Sequence, residues 1–117
     1  MAPEAVKIAV LGAGSWGTAL AIRLARNACL VSLWGHDQGE IAALQRDGEN
    51  RQYLPGVQLP QRLCATHDLP ACLQEADEIL VVVPSHAFAA VCHSIAELRP
   101  DLQTLSWATK GFDPASK

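Results

Sequence analysis

Short apolar runs alternate with longer amphipathic segments along this chain. Five of the apolar runs have the length of β-strands, and the fourth of them is apolar at every position: residues 7–11, 30–34, 63–66, 79–83 and 104–108. A strand that is apolar throughout is typical of the middle of a parallel sheet, where helices cover both faces. The segments between the runs predict four helices, over residues 15–27, 40–47, 68–76 and 85–98. This alternation indicates an α/β domain.

The ends of several predicted elements are marked by particular residues. Asp68 has a side-chain acceptor suited to cap the third helix, and Ser85 is placed to cap the fourth. Asn27 is expected to end the first helix in a left-handed conformation, which asparagine tolerates. Two prolines and two glycines within residues 48–60 predict a loop there.

A glycine-rich hexapeptide, GAGSWG at residues 12–17, connects the first strand to the first helix. Gly12 permits the tight turn, Gly14 lets a phosphate approach the backbone, and Gly17 lets the helix pack closely. The free N–H groups and the positive end of the helix dipole would then face the phosphates of a dinucleotide. The pattern predicts a Rossmann-type, doubly wound, mostly parallel sheet with helices on both faces. We expect five strands in the order 3-2-1-4-5, with the second half of the sheet incomplete.

Two residues of the hexapeptide have side chains that a cofactor could meet. Ser15 is placed to donate to a phosphate, with a plain helix cap as the alternative. Trp16 is placed to line the cofactor pocket, and the alternative is that it packs beneath the loop.

The residues after the second strand bear on the choice between NAD and NADP. NAD-specific domains usually carry an acidic residue about 20 residues after the glycines, where it holds the ribose 2′-hydroxyl. Asp37 has this spacing from Gly17 but follows the predicted end of the strand, and His36 precedes it. A histidine is able to hydrogen-bond a 2′-phosphate, so NADP is permitted and NAD is not excluded. The alternative for His36 is an ordinary loop position.

Lys110 follows the last predicted strand, at the carboxyl edge where doubly wound sheets bind ligands. A lysine there is suited to neutralise a substrate phosphate or to polarise a carbonyl group. A solvated surface lysine is the alternative. The other histidines, His67, His86 and His93, have no partner in the pattern, and His93 is expected to be a surface or core residue.

Composition disfavours several classes of partner and site. The formal net charge of −3 at pH 7 disfavours nucleic acid and anionic membranes. No apolar run approaches the ~20 residues that span a bilayer, and the first residues do not form a secretory signal. The four cysteines, Cys29, Cys64, Cys72 and Cys92, form no CxxC pair or metal-ligand spacing. We expect buried free thiols, no metal and a cytoplasmic location; a homodimer is compatible with the sequence.

Taken together, the motifs resemble bacterial NAD(P)-dependent glycerol-3-phosphate dehydrogenase. The matching blocks follow the family order across nearly the whole chain: GAGSWGTALA at 12–21, LWGHD at 33–37, Asn50 with YLP at 53–55, ILVVVPSH at 79–86 and WATKG at 107–111. Related reductases and 6-phosphogluconate-type dehydrogenases share the glycine motif but not the late ATKG together with YLP. One departure is Ala28 after Asn27, where the family usually has glycine.

The resemblance implies hydride transfer between NAD(P)H and dihydroxyacetone phosphate, which gives sn-glycerol 3-phosphate for phospholipid synthesis. By the family pattern, Ser15, Trp16, His36, Tyr53 and Lys110 would contact the cofactor, and Lys110 would also contact the substrate. The family's catalytic lysine belongs to a helical C-terminal domain that has no counterpart in residues 1–117, so no catalytic residue is assigned here. We expect one dinucleotide-binding domain, a truncated portion of the enzyme, that binds cofactor weakly or not at all and is inactive alone.

Two other functions are compatible with these residues. A non-catalytic nucleotide-binding or redox-sensing module would use the glycine motif without chemistry, and a different Rossmann reductase would act on a keto or sugar acid. Lys110 distinguishes the second alternative from the glycerol-phosphate enzyme. Replacing Lys110 by alanine is expected to damage the activity of that enzyme severely.

Overall fold

Strands and helices alternate along the chain in a computed structural model, which describes residues 6–27, 29–74, 76–83, 85–98 and 105–107. In chain order the elements are β1 (Lys7–Leu11), α1 (Ser15–Arg26), β2 (Leu30–Trp34), α2 (Gln38–Asp47), β3 (Glu49–Asn50), β4 (Leu54–Gln58), β5 (Leu63–Thr66), α3 (Leu69–Gln74), β6 (Glu78–Val81), α4 (Ser85–Leu98) and β7 (Leu105–Trp107).

The main sheet has five strands in the order β5-β2-β1-β6-β7, and each neighbouring pair is parallel. Counting only these five strands along the chain, this is the predicted order 3-2-1-4-5, which is confirmed. Parallel neighbours need crossover connections, and helices supply most of them. All five strands therefore place their carboxyl ends at one edge of the sheet.

Apolar side chains cover both faces of the sheet. On one face Val10 and Leu33 pack with Ile22 of α1 and Ile41 of α2. On the other face Leu11 and Ile79 pack in a separate cluster with residues of α3 and α4: Leu73, Val91 and Ile95. Successive residues of a strand point to opposite faces, so a central strand with helices on both sides needs apolar residues throughout. This explains why β1 has no polar residue after Lys7.

The segment predicted as a loop over residues 48–60 contains a small hairpin instead, so that prediction was wrong. β3 and β4 pair antiparallel in a separate two-stranded sheet, with Glu49 opposite Gln58. Pro55 and Gly56 are tolerated within β4 because each strand of a two-stranded sheet has one unpaired edge. The Glu49 carboxylate also accepts a hydrogen bond of 3.0 Å from the Gly56 N–H.

Two helix caps explain where α2 and α3 begin. The Asp68 carboxylate accepts from the Ala71 N–H at 3.1 Å, which confirms the predicted cap of α3. α2 begins two residues earlier than predicted, at Gln38, because Asp37 caps it. The Asp37 carboxylate accepts from the Glu40 N–H at 3.0 Å.

The end of α1 differs from the prediction. Asn27 does follow the last residue of the helix, but its φ of −94° is not left-handed. Its N–H donates to the carbonyl oxygens of Arg23 and Leu24 at 3.1 and 3.0 Å, so the helix ends on a tightened last turn instead. Ser85 begins α4 as expected, although its side chain lies outside the described residues.

All four cysteines are free, but only Cys72 is buried. Burial, with a smaller contribution from Asp68, raises the pKa of the Cys72 thiol to about 12, so this thiol is unreactive at neutral pH. Cys64 is exposed, which corrects the expectation of burial, because β5 is an edge strand with one neighbour. The described residues contain no cluster of metal-ligating side chains, and their helices include none long and apolar enough to cross a bilayer.

Candidate functional site

The glycine-rich loop turns sharply where β1 ends. Gly12 has a φ of +128°, a conformation that L side chains rarely adopt, and its N–H donates to the Trp34 carbonyl at 2.8 Å. A Cβ on Gly12 would also lie 2.5 Å from the carbonyl oxygen of Val82. The turn therefore requires glycine at this position for both backbone and packing reasons.

The other two glycines of the motif differ in what surrounds them. A Cβ on Gly17 would overlap the carbonyl oxygen of Gly12, so α1 packs directly against the loop that precedes it. A Cβ on Gly14 would meet no protein atom within 4 Å, and the φ of −76° suits any residue. Nothing in the protein's own packing requires glycine at 14. The position is therefore open to a ligand that approaches the loop.

A cleft of about 360 Å³ opens at the carboxyl edge of the sheet, in front of this loop. Its lining comprises the whole glycine-rich loop, the residues after β2, and single residues from other segments: Gly12, Ala13, Gly14, Ser15, Trp16, Gly17, Trp34, Gly35, His36, Glu40, Tyr53, Val82 and Val83. The fold thus brings Ser15, Trp16, His36 and Tyr53 together at one cleft. Lys110 lies outside the described residues. Carboxyl-edge clefts next to such a loop are where open α/β sheets bind nucleotides.

Two aromatic side chains remain open to solvent at this cleft. Trp16 is 45% exposed and Tyr53 is 43% exposed. Trp34, which is partly buried, is fixed because its indole N–H donates to the His67 carbonyl at 3.1 Å. Large apolar surfaces exposed together in one concave site are typical of a place that a ligand covers.

The acidic residue of the cleft is Glu40 rather than Asp37. The Asp37 carboxylate is engaged as the cap of α2, whereas Glu40 lines the cleft beside the exposed His36. Among the described residues no lysine or arginine lines the cleft. The spacing of Asp37 after the glycines does not show which way its side chain points.

Asn50 is a buried polar residue next to the glycine-rich loop, with a relative exposure of 4%. Its amide nitrogen donates to the Ala13 carbonyl and to the Thr18 hydroxyl, both at 2.9 Å. Its amide oxygen accepts from the Tyr53 N–H at 3.2 Å. From the sequence alone, Asn50 is recognisable only through the family resemblance. Its partners lie up to 37 residues away in sequence, so local pattern could not reveal the contact.

A doubly wound parallel sheet with a glycine-rich loop at a carboxyl-edge cleft defines a Rossmann dinucleotide-binding domain. Residues 7–117 match the family model described as the NAD-dependent glycerol-3-phosphate dehydrogenase N-terminus. The chain therefore belongs to this family, as the resemblance predicted, and the cofactor class is NAD or NADP.

Individual relatives agree with this assignment. The chain is 53% identical over 116 residues to the glycerol-3-phosphate dehydrogenase [NAD(P)+] of Xanthomonas oryzae pv. oryzae, covering 99% of this chain and 34% of that protein. A solved glycerol-3-phosphate dehydrogenase from Coxiella burnetii superposes with a TM-score of 0.81 at 42% identity, over 98% of this chain and 35% of that one. The enzyme from Saccharomyces cerevisiae gives 0.77 at 25% identity, over 94% and 35%. The chain spans about a third of the length of these relatives.

Proposed function

We propose that this chain is the NAD(P)-binding portion of an oxidoreductase that interconverts dihydroxyacetone phosphate and sn-glycerol 3-phosphate, a precursor of glycerophospholipids. The observation that carries the proposal is the family match over residues 7–117 together with a glycine-rich loop that faces a cleft. NAD(P)H, when bound, supplies the hydride that reduces the carbonyl carbon of the substrate.

The residues of the cleft fit the parts of a dinucleotide. Gly14, whose position is open to approach, and the N-terminus of α1 would hold the pyrophosphate, with the Ser15 hydroxyl as a further donor. Trp16 and Tyr53 offer aromatic surface to the rings of the cofactor. The work of this chain is thus to bind the cofactor and to orient it.

We further propose that Lys110 contacts both cofactor and substrate, and that the catalytic lysine comes from a helical domain beyond residues 1–117. In sequence Lys110 follows β7, which is parallel to β6, so the strand before it ends at the edge of the sheet that holds the cleft. The four free cysteines favour the reducing cytoplasm as the location, which cell fractionation would test.

A chimeric enzyme tests the proposed reaction directly. This chain would replace the matching 116 residues of the Xanthomonas oryzae relative. We expect the chimera to oxidise NADH when dihydroxyacetone phosphate is added, and we expect the 117-residue chain alone to show no turnover. In the chimera, Lys110→Ala should lower kcat/KM by about 100-fold or more, because the charge on the substrate phosphate loses its proposed partner.

The matched control is His93→Ala, which removes an exposed side chain on α4 whose Nε2 lies 3.6 Å from the Glu97 carboxylate. This variant should keep the rate of the unmodified chimera. A folded chimera that binds NADH but shows no oxidation dependent on dihydroxyacetone phosphate would refute the proposed substrate. Clear turnover by the chain alone would refute the need for a second domain.

We expect Glu40 to lower the affinity of the cleft for NADP relative to NAD. A carboxylate in the cleft accepts from a ribose 2′-hydroxyl but repels a 2′-phosphate. We expect Glu40→Gln to raise the affinity for NADPH relative to NADH by about five- to tenfold, equivalent to about 1 kcal/mol. The cap of α2 survives this change, because Asp37 accepts from the backbone N–H of residue 40.

Parallel titrations with NADH and NADPH would measure that ratio for the Glu40→Gln chain and the unmodified one. Glu97→Gln serves as the control, since Glu97 is an exposed helical carboxylate that does not line the cleft. An unchanged NADPH-to-NADH ratio in Glu40→Gln would show that this carboxylate does not face the ribose.

A further inference from the structure

The Asn50 amide makes three hydrogen bonds at the border of the cleft, with both N–H groups donating and the oxygen accepting. Its two N–H bonds reach the Ala13 carbonyl and the Thr18 hydroxyl, and its oxygen accepts from Tyr53. The Thr18 hydroxyl closes the group by donating to the Ala13 carbonyl at 3.3 Å. One buried side chain therefore joins the glycine-rich loop, helix α1 and the loop that carries Tyr53.

The bond to Ala13 fixes the orientation of a peptide group in the middle of the glycine-rich loop. Ala13 lies between Gly12 and Gly14, and the peptide that follows it is trans. The C=O and N–H of a trans peptide point in opposite directions. Holding the Ala13 carbonyl towards Asn50 thus sets the direction of the Gly14 N–H, which belongs to the lining of the cleft.

The bond to Tyr53 holds a second segment that lines the cleft. The β3–β4 hairpin forms its own two-stranded sheet and has no strand pairing with the main sheet. Leu54, Val57 and Leu59 pack against the core, but the Tyr53 side chain projects beyond them and is 43% exposed. The hydrogen bond from its N–H to Asn50 ties this part of the hairpin to the glycine-rich loop.

Asparagine suits this position better than its nearest alternatives. Aspartate has the same shape but offers no donor, and its carboxylate would face the Ala13 carbonyl across about 2.9 Å. An apolar residue would leave the buried carbonyl of Ala13 and the hydroxyl of Thr18 with fewer partners.

We infer that Asn50 is a positioning residue for the dinucleotide: it holds the Ala13–Gly14 peptide and the Tyr53 loop in the arrangement that the cofactor binds. This inference rests on the proposed cofactor cleft. Asn50 acts through its neighbours, since it does not itself line that cleft. A preformed site costs less to order on binding, so loss of the Asn50 amide should weaken the cofactor complex.

Asn50→Asp in the full 117-residue chain is the primary test, with NADH as the probe. We expect at least about a tenfold weaker dissociation constant, measured by calorimetry well below the unfolding temperature. In Asn50→Ala, which also removes the oxygen that accepts from Tyr53, hydrogen exchange of the Tyr53 N–H in the cofactor-free chain should become at least about tenfold faster. Gln45→Glu is the matched control, because the exposed Gln45 amide donates to the Ala65 carbonyl at 2.8 Å, outside the cleft. It should change either quantity by less than about twofold.

If Asn50→Asp does not fold, a second pair of variants tests the positioning role of Asn50. Thr18→Val removes one partner of the amide while keeping the shape of the side chain, and Thr18→Ser keeps the hydroxyl. We expect about threefold weaker NADH binding in the valine variant and normal binding in the serine variant. Equal affinity in both variants would overturn the inference.

The outcomes also separate this inference from the proposed cleft. A folded Asn50→Asp chain that binds NADH within about twofold of the unmodified chain would overturn the positioning role while leaving the cleft intact. If neither the unmodified chain nor the folded chimera binds NADH, the proposed cleft fails and the positioning role fails with it.

Discussion

Gly14→Asp is expected to weaken NADH binding by more than about 100-fold while the chain remains folded. A carboxylate at this position would repel the phosphates and occupy the space through which they reach the backbone. The fold should tolerate the change, because a Cβ on Gly14 meets no protein atom within 4 Å and the φ of −76° is unstrained. Residue 14 is also the N-cap of α1, a position that aspartate favours.

The control for charge is Gly14→Asn, which has nearly the same size and is neutral. We expect asparagine to weaken NADH binding less than aspartate, and the unfolding midpoints of both variants to stay close to that of the unmodified chain. NADH binding that survives Gly14→Asp would place the phosphates elsewhere. Unfolding of the variant would show instead that glycine at 14 serves the fold.

Gly17→Ala is expected to lower the free energy of unfolding by about 3 kcal/mol, at the upper end of the cost of overpacking. The added methyl group would overlap the carbonyl oxygen of Gly12, and that oxygen belongs to a backbone turn with a positive φ. Neither group can move without separating α1 from the loop. Urea denaturation followed by circular dichroism measures the change.

Gly39→Ala is the comparison for Gly17→Ala, since both replace a glycine in the first turn of a helix. A Cβ on Gly39 meets only the Asp37 carboxylate oxygen, at 3.3 Å. The gain in helix propensity should offset the small shift required of the Asp37 carboxylate, so this variant should stay within about 1 kcal/mol of the unmodified chain. If Gly17→Ala is equally stable, the close packing of α1 on the loop is not required.

The strand order could be predicted because apolar runs of strand length alternate with helices and parallel connections allow few topologies. The β3–β4 hairpin could not be predicted, since Pro55 and Gly56 signal a break and the two-stranded pairing that tolerates them depends on tertiary structure. Asn27 shows a similar limit. Asparagine tolerates a left-handed backbone, but Asn27 has a φ of −94° and does not adopt it.

The candidate site was predictable where residues act through backbone position and not where they act through side-chain direction. The glycine motif placed the loop, and the structure brings Trp16, His36 and Tyr53 to it. Asp37 has the spacing of a ribose ligand, but hydrogen bonding makes it the cap of a helix. The role of Asn50 depends on partners from two other segments that only folding brings near.

Calorimetric titration of the unmodified chain with NADH tests most directly whether the cleft is a dinucleotide site. Trp16 and Trp34 line the cleft, so their fluorescence should follow the same binding curve. The expected result is weak, saturable binding of one NADH per chain, which Gly14→Asp abolishes. Binding that Gly14→Asp leaves unchanged, or the absence of saturable binding to both this chain and the folded chimera, would contradict the assignment of this cleft.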